Sequence, residues 1–189
     1  MQAKNGTVLG AFTTPNSTFP SANPPTVQAL SSPVSASTST TLTPGLKWNA
    51  ATGTGAAAVA KYYLQVSKVT DFSSLVVDNQ NVPTTLNTTV PPTVLYTLPT
   101  ALDAGFTYYW RVRALNAANQ YSQWSAVWNF KTTLLAPTSL TIVGTTGLST
   151  KPTFDWSDVP GATGYNITVL NGTTVVFSGA PVTSTYTHT

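Results

Sequence analysis

The residues that carry out acid–base, nucleophilic or metal chemistry are scarce in this chain. It has a single histidine, His188, no cysteine and no glutamate, and its acidic residues are five scattered aspartates. These are Asp71, Asp78, Asp103, Asp155 and Asp158. A catalytic site needs a positioned acid, base or nucleophile, and neither a Ser-His-Asp triad nor a carboxylate pair stands out. The sequence therefore predicts no catalytic residues, no cofactor and no enzymatic activity.

The same scarcity argues against a metal centre. Asp155 and Asp158 lie close enough in sequence to meet at one corner between strands, but Ca²⁺ needs about six to eight oxygen ligands, usually from several carboxylates. We interpret this pair as solvated turn residues and predict no metal site. Without cysteine, disulfides and thiolate metal sites are excluded.

Charge and hydropathy exclude two further classes of partner. The net charge of +3 comes from eight basic residues spread along the chain, and only Arg111 and Arg113 are neighbours on one strand face. Nucleic-acid binding usually needs clustered Lys and Arg, so we predict no nucleic-acid partner. No segment approaches the roughly 20 apolar residues of a membrane span, and no signal peptide is recognised.

Charged residues make up only 7% of a chain rich in Thr, Ser and Asn, and this composition favours an extracellular or cell-surface protein, with any export signal removed or lying upstream.

The clearest structural pattern in the sequence lies in residues 102–130. This segment is predicted to form two long strands joined by a polar turn at 116–120. Tyr108, Trp110 and Val112 alternate with Arg111 and Arg113, the period of two expected of a half-buried strand. A chain without Glu and with few Lys is poor in strong helix formers, whereas Thr, Val and Tyr favour strands. We therefore expect an all-β protein with almost no helix.

This stretch resembles fibronectin type III domains. Leu102, Gly105 and Tyr108, followed by Trp-Arg-Val-Arg-Ala, resemble the sixth (F) strand, although residue 104 is Ala where the family often has Pro. Residues 124–132, Trp-Ser-Ala-Val-Trp-Asn-Phe-Lys-Thr, are similar to the last (G) strand of bacterial members, and Trp48 resembles the buried Trp of the second (B) strand. The resemblance implies a β-sandwich in which the Tyr108 hydroxyl bonds back to the main chain. It implies no particular function, because this sandwich hosts many roles.

The resemblance divides the chain into an N-terminal arm or linker (1–24), a seven-stranded fibronectin type III-like domain (25–133) and a second, partial domain (134–189). In the first domain, strands preceding F and G are expected at 27–30, 40–49, 61–68, 75–78 and 94–98. Residues 7–15 faintly resemble the G strand of this domain. The arm is therefore either a tail, the last strand of a preceding repeat, or a strand offered to a neighbouring subunit.

The second domain is expected to repeat the first, with Trp156 matching Trp48 and a Tyr165-containing strand matching the Tyr62 strand. On this alignment it lacks strands F and G. Three explanations stay open: the chain is a fragment of a longer tandem array, which we favour; another subunit supplies the missing strands; or the second repeat closes by itself. Neighbouring copies or domains of the same protein are thus the expected partners, and strand complementation is one form this could take.

Aromatic residues supply the remaining predictions. The predicted structural core contains Trp48, Tyr108, Trp110, Trp128, Phe130, Trp156 and Tyr165. The predicted stacking face contains Tyr109, Arg111, Arg113, Tyr121 and Trp124. This face is either a cation–π stack that stabilises the sheet or a platform on which a polysaccharide stacks. Five Asn-x-Ser/Thr sequons, at Asn5, Asn16, Asn87, Asn166 and Asn171, mark candidate glycosylation sites if the host modifies them.

Together these features indicate a non-catalytic extracellular protein built from tandem fibronectin type III-like repeats. We interpret it as a structural or adhesive spacer, such as a bacterial surface-layer, stalk or filament subunit. The alternative is an accessory carbohydrate-binding module of a secreted enzyme that degrades polysaccharides.

Overall fold

The structure, a computed structural model, describes residues 23–87, 90–143 and 151–188. These residues form fourteen β-strands and one short 3₁₀ helix, Gly55–Ala57, so the prediction of an all-β protein is confirmed. The first nine strands are β1 (Leu30–Ser32), β2 (Ser37–Ser39), β3 (Gly45–Asn49), β4 (Val59–Ser67), β5 (Leu75–Val82), β6 (Leu86–Asn87), β7 (Thr93–Thr97), β8 (Thr107–Asn116) and β9 (Trp128–Thr132). The remaining five are β10 (Thr141–Val143), β11 (Thr153–Asp155), β12 (Ile167–Asn171), β13 (Thr174–Gly179) and β14 (Thr185–Thr187).

Strands β1 to β9 form two sheets that pack into a sandwich. One sheet has the order β1-β3-β7-β6, and the other has the order β2-β9-β8-β4-β5. The chain crosses from the edge of the first sheet to the edge of the second between β1 and β2, and β2 joins β9 in parallel. The sandwich thus has nine strands where seven were expected, because the short edge strands β2 and β6 carry no pattern that distinguishes them from loops.

The core between the sheets comes from the alternating residues of β3, β4 and β8. Trp48, Tyr62 and Trp110 are buried, with the Trp48 ring 5.4 Å from Tyr62 and 6.4 Å from Trp110 between centroids. Tyr108 and Phe130 stack beside them at 6.0 Å. Burial of such large rings on both sheets is the main stabilising term of a sandwich.

Two of the predicted core residues are less buried than expected. Trp128 is half-buried and packs against the rim of the core, because β9 begins at this residue. Tyr165 is also half-buried; it precedes β12, which among the described residues pairs with β13 alone. The other five predicted core residues are buried.

Several strand boundaries also differ from those predicted. The strand expected at 40–49 begins only at Gly45, since Ser39 and Thr41 bond through their hydroxyls to the main chain two residues ahead and hold a bend. Such local bonds compete with a sheet ladder. The strand expected at 27–30 lies instead at Leu30–Ser32, and the one expected at 75–78 continues to Val82.

Strands β10 to β14 form a smaller unit of two sheets, β10-β11-β14 and β12-β13. The first repeats the order β1-β3-β7, and the hairpin β12-β13 repeats β4-β5. The hairpin turns between Asn171 and Thr174, where Gly172 has a φ of +58° that glycine adopts without strain. Within the described residues β12 pairs only with β13, whereas β4 pairs with both β5 and β8.

Candidate functional site

The outer face of the larger sheet carries a stack of guanidinium groups and rings, which we call the arginine–aromatic ladder. The Cζ atom of Arg111 lies 4.1 Å from the centroid of Phe72 and 4.3 Å from that of Trp124. The Cζ atom of Arg113 lies 4.4 Å from Trp124 and 3.9 Å from Tyr121. Alternate residues of a strand are roughly 6.6 Å apart, so the Trp124 ring fits between the two guanidinium groups. The resulting order is Phe72, Arg111, Trp124, Arg113, Tyr121.

An irregular segment before β9 holds Trp124 in the ladder. Ser122 exchanges two bonds with Ala114, whose N–H donates to the Ser122 hydroxyl at 3.0 Å and whose carbonyl accepts from the Ser122 N–H at 2.9 Å. Ser125 does the same with Val112, at 3.1 and 2.9 Å. Between these two pairings the segment advances by three residues, from Ser122 to Ser125, whereas β8 advances by two, from Ala114 to Val112. The serine hydroxyls accept the β8 N–H groups that main-chain carbonyls would accept in a regular sheet. The segment is therefore not a regular strand.

A second layer of hydrogen bonds, from side chains of β4, fixes Arg111. The Arg111 Nε and Nη2 groups donate to Gln65 Oε1 at 2.9 and 2.7 Å. The Gln65 amide in turn donates to the Tyr63 hydroxyl at 3.0 Å. Partial burial, with the neighbouring charge of Arg113, lowers the pKa of Arg111 from its ordinary value, and that value is so high that the group stays charged at neutral pH. The ladder is thus cationic and built on side chains held by several partners.

The ladder changes how the predicted stacking face can be used. Trp124 contacts both guanidinium groups and also Tyr63, 5.2 Å away, so its ring is engaged within the protein. Tyr121 ends the ladder with 41% of its surface exposed. Tyr109 is half-buried and lies opposite Asn129 on β9 rather than in the ladder. Of the three rings proposed as a sugar platform, Tyr121 is the most exposed, while Tyr109 and Trp124 are half-buried.

Sequence reasoning missed three members of this face. Phe72, Tyr63 and Gln65 join the ladder from β4 and from the turn after it, and no motif placed them there. Phe72 sits at a φ of +59°, which turns its buried side chain toward Arg111. Because the alternation of β4 allowed either Tyr62 or Tyr63 to face the core, only the structure assigns Tyr63 to the outer face.

The corner formed by Tyr108 lies at the end of the sandwich that faces the smaller unit. The Asp103 N–H donates to the Tyr108 hydroxyl at 2.9 Å, and the hydroxyl donates weakly to the Asp103 carbonyl at 3.4 Å. This is the main-chain bond that the resemblance implies. Lys68 pairs with Asp103 at 2.6 Å and lies over the Phe106 ring at 4.0 Å. The Asp103 partner raises the pKa of Lys68.

Two glycines bring the sandwich and the smaller unit into backbone contact. Gly105, in the corner before β8, has a φ of +77°, and Gly161, after β11, has a φ of +79°. A Cβ at Gly161 would lie 2.7 Å from the Gly105 carbonyl oxygen, and one at Gly105 would lie 2.5 Å from the Pro160 oxygen. Contacts under 3.0 Å are not made by real Cβ atoms, so only glycine fits on each side. Neither glycine was assigned to such a contact from the sequence.

The candidate chemical residues stay dispersed. Asp155 pairs with Thr141 and Thr185 in the sheet, and Asp158 is exposed in the following loop. His188 stacks on Phe177 at 4.1 Å. In the part of the chain that the structure describes, no three His, Cys, Asp or Glu residues form a group able to hold a metal ion. The same residues include no helix long and apolar enough to cross a membrane.

The sequons fall in two groups. Asn87, Asn166 and Asn171 are exposed, as glycan attachment requires. Asn5 and Asn16 lie outside the described residues, as does the strand-like segment 7–15. Glycosylation therefore stays a prediction.

Comparison with known protein families gives a match to the larger sandwich. A family model described as the Rha78A-like, N-terminal immunoglobulin domain matches residues 25–136, which contain the nine-stranded sandwich, the ladder and the Tyr108 corner. No curated protein matches the chain.

Proposed function

The chain belongs to the family of Rha78A-like N-terminal immunoglobulin domains, and on this premise we propose that it is a non-catalytic spacer in an extracellular protein. Its task is to hold neighbouring domains at a fixed position. The immunoglobulin-like sandwich supplies a stable body, and the smaller unit is a second repeat of the same plan. The fibronectin type III pattern of the F and G strands and the shared strand order support this tandem arrangement.

The observation that carries this proposal is the contact between Gly105 and Gly161. A flexible linker would leave the two units free to reorient, which is the usual expectation for neighbouring domains. Here main-chain atoms of both units meet with no side chain between them, and the side chain of Leu134, just after β9, packs on the same point. Such a contact restricts the relative orientation of the units, and this is the property that a spacer needs.

Small-angle X-ray scattering on two matched variants tests the spacer proposal. Gly161→Ala introduces a methyl group where only 2.7 Å separates the Cβ position from the Gly105 oxygen. Gly172→Ala places the same methyl group at the same kind of positive φ, +58°, but in open space. Both substitutions strain the backbone, so a difference between them reports the contact alone.

We expect Gly161→Ala to change the scattering profile toward a more extended, variable particle while Gly172→Ala keeps the profile of the unaltered protein. Circular dichroism verifies that both variants stay folded. A profile for Gly161→Ala that overlays on the unaltered protein would show that the contact does not set the orientation, and the spacer proposal would lose its support.

A second candidate function is that of an accessory carbohydrate-binding module. The family is associated with the N-terminus of a glycoside hydrolase, which is compatible with this role. Tyr121, exposed at the end of the ladder, is the ring that could stack on a sugar. A glycan array separates the two candidates. Binding that is lost in Tyr121→Ala and kept in Tyr109→Ala would favour the carbohydrate module, and no binding to any polysaccharide would favour the spacer.

A further inference from the structure

The arginine–aromatic ladder carries positive charge that is not paired directly with a carboxylate. Neither Arg111 nor Arg113 forms an ion pair with a residue that the structure describes. The hydrogen bonds of Arg111 go to the uncharged Gln65 side chain. Asp78 reaches this network through the Gln65 amide, at 3.3 Å, rather than through a guanidinium group. The guanidinium groups therefore keep the capacity to pair with an anion.

Arg113 has the donors best placed for this. A guanidinium group has five N–H donors, and that of Arg113 makes no hydrogen bond with a described residue. Its Nε is buried without an acceptor, whereas Nη1 and Nη2 are not enclosed in this way. The rings of Tyr121, at 3.9 Å, and Trp124, at 4.4 Å, hold the guanidinium plane. An anion would meet donors that are already oriented, so little side-chain freedom is lost on binding.

A second cation lies at the same end of the ladder. Lys61 precedes Tyr63 by two residues on β4 and so shares the outer face. It is paired in register with Leu115, which bridges to Tyr121. The Lys61 Nζ group donates to the uncharged Asn81 side chain at 2.8 Å. This lysine therefore adds positive charge to the Tyr121 end of the face.

The five aspartates of residues 1–189 lie away from this end. Asp71 adjoins Phe72 at the far end of the ladder, and Asp78 lies opposite Gln65 on β5. Asp103 is paired with a lysine, and the other two belong to the smaller unit. The Tyr121 end thus combines two cations with no aspartate. Such a surface attracts anions and disfavours cations.

We propose that this end of the ladder, formed by Lys61, Arg113 and Tyr121, binds a polysaccharide of uronic acids. The Arg113 Nη groups donate to a sugar carboxylate, whose two oxygens match the fork of a guanidinium group. Lys61 adds charge, and the exposed ring of Tyr121 stacks on the C–H face of a neighbouring sugar. A uronic acid polymer offers a carboxylate and an apolar ring face in every unit, as this pairing of cation and ring requires. The inference rests on the carbohydrate-module candidate and names its ligand class.

Isothermal titration calorimetry of the full chain with two matched sugars tests the requirement for charge. One sugar is a galacturonate hexamer, and the other is the same hexamer with every carboxylate methyl-esterified, which keeps the rings and removes the charge. We expect saturable binding of the acid that weakens as salt rises. The ester should bind about tenfold more weakly or less, as expected when a charge-assisted hydrogen bond is lost. Equal affinities, or no binding of the acid, would overturn the proposal.

Two variants that each remove one positive charge locate the binding surface. Arg113→Gln acts in the ladder. Lys47→Gln acts on β3 in the other sheet, where Lys47 alternates with buried residues and faces away from the core on the opposite side of the sandwich. We expect Arg113→Gln to weaken galacturonate binding about tenfold and Lys47→Gln to change it by less than about twofold. Equal losses would show attraction to net charge alone and would contradict the site.

A third variant covers the case in which Arg113→Gln does not fold, which circular dichroism detects. Lys61→Gln leaves the stacked rings and both guanidinium groups in place. It should weaken galacturonate binding in the same direction as Arg113→Gln and more than Lys47→Gln does. If Lys61→Gln binds as the unaltered chain does, the lysine does not belong to the site and the proposal fails in this form.

Further probes separate the proposal from other ligands. A single-stranded oligothymidylate and a hexaglutamate peptide offer anions of other classes, and an equal or higher affinity for either would overturn the proposal. Binding of neutral glycans through Tyr121 without binding of galacturonate would also overturn it, while the carbohydrate-module candidate would stand. Absence of binding to every glycan would remove both and leave the spacer role untouched.

Discussion

Trp156 and Tyr165 pack edge to face with ring centroids 5.3 Å apart and planes at 69°, nearly the arrangement of Trp48 and Tyr62 at 5.4 Å and 69°. The likeness extends to the main chain. The Tyr165 hydroxyl accepts the Val159 N–H at 2.9 Å, and the Tyr62 hydroxyl accepts the Ala51 N–H at 2.9 Å. The shared ring pair, hydroxyl bond and strand order support the proposal that the two units are repeats of one plan.

Removing the Tyr165 hydroxyl tests whether this bond stabilises the smaller unit. We predict that Tyr165→Phe lowers the free energy of unfolding by about 1–3 kcal/mol, because the N–H of the buried Val159 loses its acceptor. Urea unfolding gives the value. Tyr186→Phe removes the same hydroxyl from a half-buried ring of this unit and should cost less. Equal losses in the two variants would mean that the bond is not the cause.

The serine bonds that position Trp124 give a second prediction. Ser125→Ala leaves the Val112 N–H without its hydroxyl acceptor inside a buried strand, and we expect a loss of about 1–3 kcal/mol in the free energy of unfolding. Ser74→Ala, at an exposed position, is the control and should change stability by less than about 0.5 kcal/mol. Thermal or urea unfolding measures both. If Ser125→Ala left the free energy of unfolding unchanged, the segment before β9 would be held by other contacts.

The ladder itself is tested by a double-mutant cycle between Arg113 and Tyr121. Because the guanidinium carbon lies 3.9 Å from the ring centroid at a partly exposed site, we expect a coupling energy of about 0.5–1 kcal/mol. The cycle uses Arg113→Ala, Tyr121→Ala and the double variant in urea unfolding. The same cycle between Arg113 and the distant Phe106 should give no coupling. A coupling energy near zero for Arg113 and Tyr121 would show that their contact does not stabilise the fold.

The sequence predicts the position of a side chain where that residue belongs to a strand with a regular two-residue alternation. The alternation of residues 108–114 places Tyr108 and Trp110 inside and Arg111 and Arg113 outside, and the structure agrees. The family pattern also gave the Tyr108 corner. These features are local, since a strand of period two fixes which side chains share a face.

The features that sequence reasoning missed depend on contacts between distant segments. Phe72 reaches Arg111 only because its turn has a positive φ, and Gly105 meets Gly161 across two units. The short strands β2 and β6 are set by their partners rather than by their own residues. Contacts between distant segments leave no periodic pattern in the sequence. The expectation of seven strands was wrong for the same reason, because β2 and β6 depend on their partner strands.

Alkaline pH should destabilise the larger sandwich. Burial raises the pKa of Tyr62 and of Tyr108 above the ordinary value of about 10, so the unfolded chain releases these protons at a lower pH than the folded chain. The raised pKa of Lys68 acts in the same direction, since the pairing with Asp103 is lost as Lys68 deprotonates. Stability contributed by these groups is therefore intact at neutral pH and falls as the pH rises through about 10.

Thermal unfolding at a series of pH values checks this prediction. The melting temperature should fall above about pH 10, and Tyr108→Phe should make the fall shallower while lowering stability at neutral pH through the lost Asp103 bond. A melting temperature that stays constant through the alkaline range would contradict the assignment of buried, neutral phenols.

The most direct test of the spacer role is ¹⁵N relaxation of the unaltered chain, which yields a rotational correlation time for each unit separately. The contact between Gly105 and Gly161 predicts one common correlation time for residues in the larger sandwich and in the strands β10 to β14. Two distinct correlation times, with the smaller unit tumbling faster, would contradict a fixed orientation and with it the central claim that this protein is a rigid spacer.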